Sequence, residues 1–310
     1  MRVLVVSNPN ATDMSARQRD VLASALGRGG ELTVEETMNR GHAAALACRA
    51  MRDGTDVVVA LGGDGTVNEV VNGLLTDGVH PRVPALGIVP AGSTNVFARA
   101  LGLPVNRTEA TGALLEGLRT GGRRSVSLGK LDERYFVFAA GIGFDAAIVA
   151  GVERERRRGR RSSHPLYAKV GVREFFRYDR RHPKLILELP DGTTVDDVFF
   201  AIIANADPWT YVGRRPLRPT PQASFDTGLD IYARRRMSTA GLAYSMGRLL
   251  VKTPRVGRRG AWTCHDASGL VVRASEPMPV QVDGDLLDPR EKLTLTSEAV
   301  AIRVVMDMNG

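Results

Sequence analysis

Short apolar runs of strand length alternate with helical periodicity through the first 125 residues. Val3 to Val6, Val57 to Leu61 and Ala85 to Val89 are such runs, and Val21, Leu22, Ala25 and Leu26 between them have the spacing of one apolar helix face. This βα repetition predicts a mostly parallel sheet with helices on both faces. From about Ser125 the texture changes. Tyr135 to Ala140, Lys184 to Leu189 and Val198 to Ala204 read as strands, the last two joined through Asp191-Gly192, a hairpin signal. Further strands are predicted at Leu229 to Ala233, Leu270 to Arg273, Val280 to Val282 and Leu293 to Thr296. Helices are predicted around Tyr167 to Tyr178 and from Thr239 to Val251. The expected fold class is α/β in two domains, a mostly parallel α/β domain over residues 1–124 and an antiparallel β-rich domain over 125–297.

A chain of 310 residues is long enough for two cores. No uncharged apolar run reaches the roughly 18 residues of a membrane span, and Met1 to Val6 reads as a buried strand rather than a signal peptide, so a cytoplasmic protein is expected. Cys48 and Cys264 lie far apart with no ligand-spaced Cys or His, which indicates neither a zinc site nor a disulfide framework. The formal charge of +8 is unevenly spread. Residues 1–150 are balanced at 15 basic and 15 acidic, whereas residues 151–259 carry 23 basic against 11 acidic side chains. That middle segment is suited to anionic partners, whether nucleic acid, an anionic membrane surface or phosphorylated ligands.

Candidate chemistry begins at Gly62-Gly63-Asp64-Gly65-Thr66, which follows a predicted strand and precedes the helical stripe Val67, Val70, Val71, Leu74 and Leu75. Glycines let backbone N–H groups close around an anion, and a helix N-terminus favours negative charge. Thr66-Val67-Asn68-Glu69 fits a capping box, with Thr66 capping the helix and Glu69 reaching back to the cap's own N–H. No Walker-type G-x-x-x-x-G-K-[ST] loop exists. Gly141-Ile142-Gly143-Phe144-Asp145-Ala146 matches the dinucleotide pattern G-x-G-x-x-A, but Arg160 and Arg161 stand where an acidic residue would follow about 20 positions later, which disfavours a nicotinamide site.

GGDGTVNEVVNG from Gly62, LGIVPAGSTNVFARALGLP from Leu86, FAAGIGFDA from Phe138 and VQVDGD from Val280 occur in this order. Together they resemble the diacylglycerol kinase catalytic-domain family, which includes sphingosine kinases and soluble bacterial lipid kinases. The resemblance implies an ATP-binding N-terminal domain, to which a last segment, 298–310, returns. It also implies a β-rich, lipid-binding C-terminal domain and catalysis in the cleft between the two. By motif position it puts nucleotide contacts on Asn8, Pro9, Thr37, Gly62, Gly63, Asp64, Gly65, Thr66, Val67, Asn68 and Ser93. It gives Asp64 a part in holding Mg²⁺, directly or through water. The base that accepts the proton of the attacking hydroxyl falls on Asp285 of Asp283-Gly284-Asp285, where the family reads D-G-E, with Asp283 the alternative.

Three departures from the family pattern accompany that one. Asn95-Val96-Phe97-Ala98 replaces N-D-F-A. A structural Mg²⁺ loop of bacterial relatives appears as Ser224-Phe225-Asp226-Thr227-Gly228-Leu229, with Thr227 in place of an Asp, leaving Ser224 and the Leu229 carbonyl as ligands. A glycine cluster after Asn205 is reduced to Gly213-Arg214-Arg215.

The basic segment has two parts: the cluster Arg154, Arg156, Arg157, Arg158, Arg160 and Arg161, and a helix with Lys169, Arg173, Arg177 and Arg181 opposite Ala168, Val172, Phe175 and Phe176. It suggests peripheral docking on an anionic bilayer; an ordinary amphipathic helix is the plainer alternative. Nucleic acid fits poorly, since aromatic content is 5% and no recognition motif accompanies the charge. The expected function is an ATP- and Mg²⁺-dependent lipid kinase acting on diacylglycerol to give phosphatidic acid. Its rivals are an NAD kinase, a sphingoid or ceramide kinase, and a non-catalytic nucleotide or lipid sensor.

Overall fold

The computed structural model describes residues 1–9, 30–160, 163–213, 215–239 and 260–307. They form two compact units, Met1–Ser127 with Ala299–Gly310, and Leu128–Glu298. The expected borders were 124/125 and 297/298. The helical stretches expected around Val21 and over Thr239 to Val251 lie outside the described residues, apart from Thr239 itself. Among the described residues no helix is long and apolar enough to cross a membrane.

In the first unit, β1 (Arg2–Ser7), β2 (Glu31–Glu36), β3 (Val57–Gly62) and β4 (Ala85–Pro90) are parallel, and Val304 near the end of β16 (Asp285–Val305) pairs parallel with Leu86. Along this sheet the order is β16, β4, β3, β1, β2. The three inner strands β1, β3 and β4 are apolar almost without interruption because both faces are covered. The edge strand β2 is only half-buried and alternates, which hid it from a search for apolar runs. Helices α1 (His42–Arg52), α2 (Asp64–Leu74), α3 (Val96–Ala100) and α4 (Arg107–Thr120) complete the unit. Asn106 caps α4 by accepting from the Thr108 N–H at 2.9 Å. Val3, Val5, Val57, Val59, Leu114 and Val305 share one core.

In the second unit every recorded strand pairing is antiparallel. β5 (Arg123–Leu131) enters it and pairs with β6 (Arg134–Phe136); β7 (Ala139–Gly143) follows, then α5 (Phe144–Arg157) and α6 (His164–Arg177). Next come β8 (Leu185–Glu188), β9 (Thr194–Val198), β10 (Phe200–Ala204), the hairpin β11 (Thr210–Val212) and β12 (Arg215–Leu217), β13 (Leu229–Arg234), β14 (Ala261–Ala267) and β15 (Gly269–Val282).

Two expected pairings change. The Asp191-Gly192 turn returns as β9, whereas β10 lies between β7 and β13. Phe199 breaks the chain between them, its N–H donating to the Arg234 carbonyl at 2.8 Å. The strands expected at Leu270 and Val280 are one strand, β15, with register shifts around Met278. The run expected as one strand over Tyr135 to Ala140 is split into β6 and β7.

Candidate functional site

In a parallel sheet ligands collect beyond the carboxyl ends of strands where the strand order reverses, and β1 with neighbours β2 and β3 marks that point. Three backbone bonds tie these ends together. Asn8 N–H donates to the Leu61 carbonyl at 3.1 Å, Thr37 N–H to Ser7 at 2.8 Å, and Ala91 N–H to Gly62 at 2.8 Å. Asn8, Thr37, Gly62 to Asn68 and the loop carrying Ser93 are thereby gathered on one side of the first unit. Pro9 and Ser93 are exposed, and Val67 and Asn68 are buried in α2.

The glycine loop does not fold as a capping box. α2 starts at Asp64 with Gly63 extended at the N-cap and no side-chain cap. Thr66 sits within the first turn, where its Oγ1 accepts from Asn8 Nδ2 at 3.3 Å. Glu69 reaches to the neighbouring helix instead, its carboxylate accepting from the N–H groups of Gly41 at 2.9 Å and Ala43 at 3.2 Å at the start of α1. The first N–H groups of α2 have no carbonyl partner within the helix, the arrangement that favours negative charge at a helix start.

Asp64 joins this loop to the next. Its two oxygens accept from Val96 N–H at 3.0 Å and Phe97 N–H at 3.1 Å, capping the short helix α3. Burial raises its pKa, while those N–H groups and the Arg99 charge oppose the shift. Asn95, in the left-handed region at φ 48, accepts from Gly92 N–H at 2.9 Å and donates to the Gly92 carbonyl at 2.8 Å. The two loops touch backbone to backbone: a Cβ on Gly92 would stand 2.7 Å from Gly63 Cα. Only glycine permits that approach.

In the second unit the D-G-D turn joins β15 to β16. Asp283, buried at 7% exposure, accepts from the N–H groups of Val137 at 2.8 Å, Phe138 at 3.0 Å and Ala139 at 3.1 Å. Its carboxylate holds the chain between β6 and β7. Asp285 is half-buried and pairs with Arg134 at 2.9 Å. Arg134 was not picked out from sequence, and it stands 151 residues from its partner, so no local pattern pointed to it.

The G-x-G-x-x-A segment places the Asp145 carboxylate directly over Gly141, where a Cβ would lie 1.7 Å from Oδ2. An acid in that position is hostile to a dinucleotide phosphate. In the expected Mg²⁺ loop, the Ser224 hydroxyl accepts from Asp226 N–H at 3.2 Å, Thr227 Oγ1 donates to the Ser224 carbonyl at 3.1 Å, and Leu229 begins β13 opposite Ala267. The loop's own carboxylate is Asp226, and beside it Asp266 Oδ1 accepts from Gly228 N–H at 2.6 Å. Among the described residues no group of three or more His, Cys, Asp or Glu could hold a metal ion.

The basic segment is partly neutralised within the unit. Glu155 pairs with Arg158, Arg160 and Arg173, and Glu174 with Arg154 and Arg173. Of the apolar set on α6, Phe175 is buried, while Val172 and Phe176 are exposed at 61% and 65%. Arg161 and Arg214 lie outside the described residues.

The first unit is thus a parallel α/β domain with its glycine loop and the start of α2 at the carboxyl ends of its strands. Residues 2–131 match the family model described as Diacylglycerol kinase catalytic domain. Over 144 residues the chain is 37% identical to proteins named diacylglycerol kinase from Staphylococcus saprophyticus and from Staphylococcus aureus, covering 46% of this chain. The match spans 45% and 44% of those relatives, less than half of their length. A crystal structure of a diacylglycerol kinase from Bacillus anthracis superposes with a TM-score of 0.70 at 19% identity, covering 99% of this chain and 97% of that chain. That likeness establishes the α/β fold with its antiparallel C-terminal part.

Proposed function

We propose that this protein is an ATP-dependent lipid kinase that transfers the γ-phosphate to a lipid hydroxyl, with diacylglycerol the first candidate and phosphatidic acid its product. The observation that carries the reading is the interlocked pair of loops at Gly62 to Thr66 and Pro90 to Asn95, where Asp64 joins the two backbone segments and Asn95 braces the second at a helix N-terminus. The polar groups of Asn8, Thr37, Thr66 and Ser93 and the N–H groups of the glycine loop are the proposed phosphate and ribose contacts.

Phosphoryl transfer asks the protein mainly for alignment and charge neutralisation. The lipid oxygen forms a bond to the γ-phosphorus as the bond to the β–γ bridging oxygen of ATP breaks, and ADP leaves with that electron pair. The hydroxyl proton passes to a carboxylate. Asp285 fits this role better than Asp283, because its side chain is partly open to solvent whereas three backbone N–H groups occupy Asp283. Mg²⁺ would neutralise phosphate charge when bound, and Asp64 is the residue proposed to help hold it, directly or through water.

A lipid acceptor brings the enzyme to a membrane surface, and the exposed Val172 and Phe176 beside Lys169 and Arg177 support peripheral docking on anionic bilayers. Sedimentation with vesicles tests this part: binding should require anionic lipid and weaken with salt, and equal binding to neutral vesicles would refute it. The catalytic reading is tested with labelled ATP, a panel of diacylglycerol, sphingoid and ceramide acceptors, and NAD, read by mass spectrometry. Label on NAD alone would identify an NAD kinase; ATP binding without turnover on any acceptor would identify a sensor.

A further inference from the structure

A buried relay runs from the first turn of α5 to the D-G-D turn. Asp145, 5% exposed, accepts from Gln281 Nε2 at 2.8 Å, and Gln281 Oε1 accepts from Gly284 N–H at 2.8 Å. Gln281 is itself 4% exposed and lies opposite Gly141 in the β7–β15 pairing. The space that lets the carboxylate reach the amide exists because residue 141 has no side chain: a Cβ there would be 1.7 Å from Asp145 Oδ2 and 2.7 Å from Gln281 Nε2.

This geometry makes the direction of the amide obligatory. A backbone N–H at Gly284 requires the Gln281 oxygen to face the turn, so its NH₂ must face residue 145, and residue 145 must accept. Without an acceptor at residue 145 the buried Gln281 NH₂ would have no partner in this orientation, and a flip to find one would turn a donor toward the Gly284 N–H. The turn is therefore gripped at two points. Asp283 is fixed by the backbone of residues 137–139, and Gly284 by Gln281 under the control of Asp145. The residue that follows both anchors is Asp285.

We infer that Gln281 and Asp145 are positioning residues that set the direction of the Asp285 carboxylate, an inference that rests on Asp285 being the base. Displacement of a reacting group by about 1 Å costs on the order of 100-fold in rate. Neither residue is among the proposed nucleotide contacts, so the loss should fall on kcat and leave the KM for ATP unchanged.

The test compares Gln281→Leu, Gln281→Asn, Asp145→Ala and Asp145→Asn in the full chain, with steady-state kinetics on the lipid acceptor that the wild type phosphorylates. Gln281→Leu and Asp145→Ala should lower kcat by about 10- to 100-fold at constant KM for ATP. Gln281→Asn, one methylene short of Gly284, should fall with them and remains informative if the leucine variant does not fold. Asp145→Asn preserves an acceptor for the Gln281 NH₂ and should recover most of the turnover.

Folded Gln281→Leu and Gln281→Asn with kcat within about twofold of wild type would overturn the inference; so would Asp145→Asn as impaired as Asp145→Ala. A wild type that phosphorylates no lipid refutes the proposed function itself. An active wild type whose Asp285→Asn variant is dead while the Gln281 variants are normal refutes the relay alone.

Discussion

Replacing Asp283 and Asp285 separately by alanine should separate stability from chemistry within one turn. Loss of the Asp283 carboxylate leaves the N–H groups of Val137, Phe138 and Ala139 without the acceptor they use at 2.8, 3.0 and 3.1 Å. Each orphaned buried donor costs about 1–3 kcal/mol. The three are neighbours on one carboxylate and do not add in full, so a total of about 3–5 kcal/mol is expected. Asp285 and Arg134 are each partly exposed, at 29% and 28%, so their ion pair contributes only about 0–1 kcal/mol.

Urea unfolding followed by tryptophan fluorescence suits this comparison, because Trp209 and Trp262 both lie in Leu128–Glu298 and report on the unit that contains the turn. Asp283→Ala should move the midpoint to much lower urea with little change in slope, whereas Asp285→Ala should unfold close to wild type. An Asp283→Ala unfolding free energy within about 1 kcal/mol of wild type would refute the anchoring argument.

Gly92→Ala forces a methyl group to 2.7 Å from Gly63 Cα and 2.8 Å from Asn95 Oδ1. Overpacking of this kind costs about 1–3 kcal/mol, which should appear in calorimetry as about 5- to 150-fold weaker ATP binding. Glu69→Ala removes the acceptor for two N–H groups at the start of α1 and should cost about 1–2 kcal/mol by urea unfolding, with Glu69→Gln recovering part of it. Burial pushes the Asp145 pKa up to about 6, above its unfolded value, with the Gln281 hydrogen bond acting the other way. The folded state therefore holds the proton longer, and this group's contribution declines as pH rises from about 4 through 6. Asp145→Asn should have an unfolding free energy that gains on wild type by up to about 3 kcal/mol between pH 4 and pH 7; a constant difference would contradict the shift.

The parts of the molecule that were legible in sequence are those written in contiguous residues. β1, β3 and β4 are unbroken apolar runs because both faces of a parallel sheet are covered, and α2 follows its glycines with the apolar stripe Val67, Val70, Val71, Leu74 and Leu75 buried as its spacing required. Glu69 shows where local reading fails. A Thr-x-x-Glu spacing specifies a carboxylate at the right distance from a helix start, but which helix start depends on α1 packing beside α2. The hairpin at Asp191-Gly192 was similar: the turn residues were visible, but the apolar run chosen as the return strand was β10, because β9, Thr194-Val195-Asp196-Asp197-Val198, is half exposed. Arg134 and the backbone of residues 137–139, which divide the roles of Asp283 and Asp285, meet the turn from about 145 residues away, a relation no spacing rule encodes.

The central claim is a transfer of the ATP γ-phosphate to a lipid hydroxyl with Asp285 as proton acceptor. Its most direct test is the formation of labelled phosphatidic acid from γ-labelled ATP and diacylglycerol vesicles by wild type and by Asp285→Asn. The wild type should form labelled phosphatidic acid and the variant should lose at least about 100-fold in turnover while still binding ATP. Equal turnover by the two proteins, or no lipid product from either, would contradict the account.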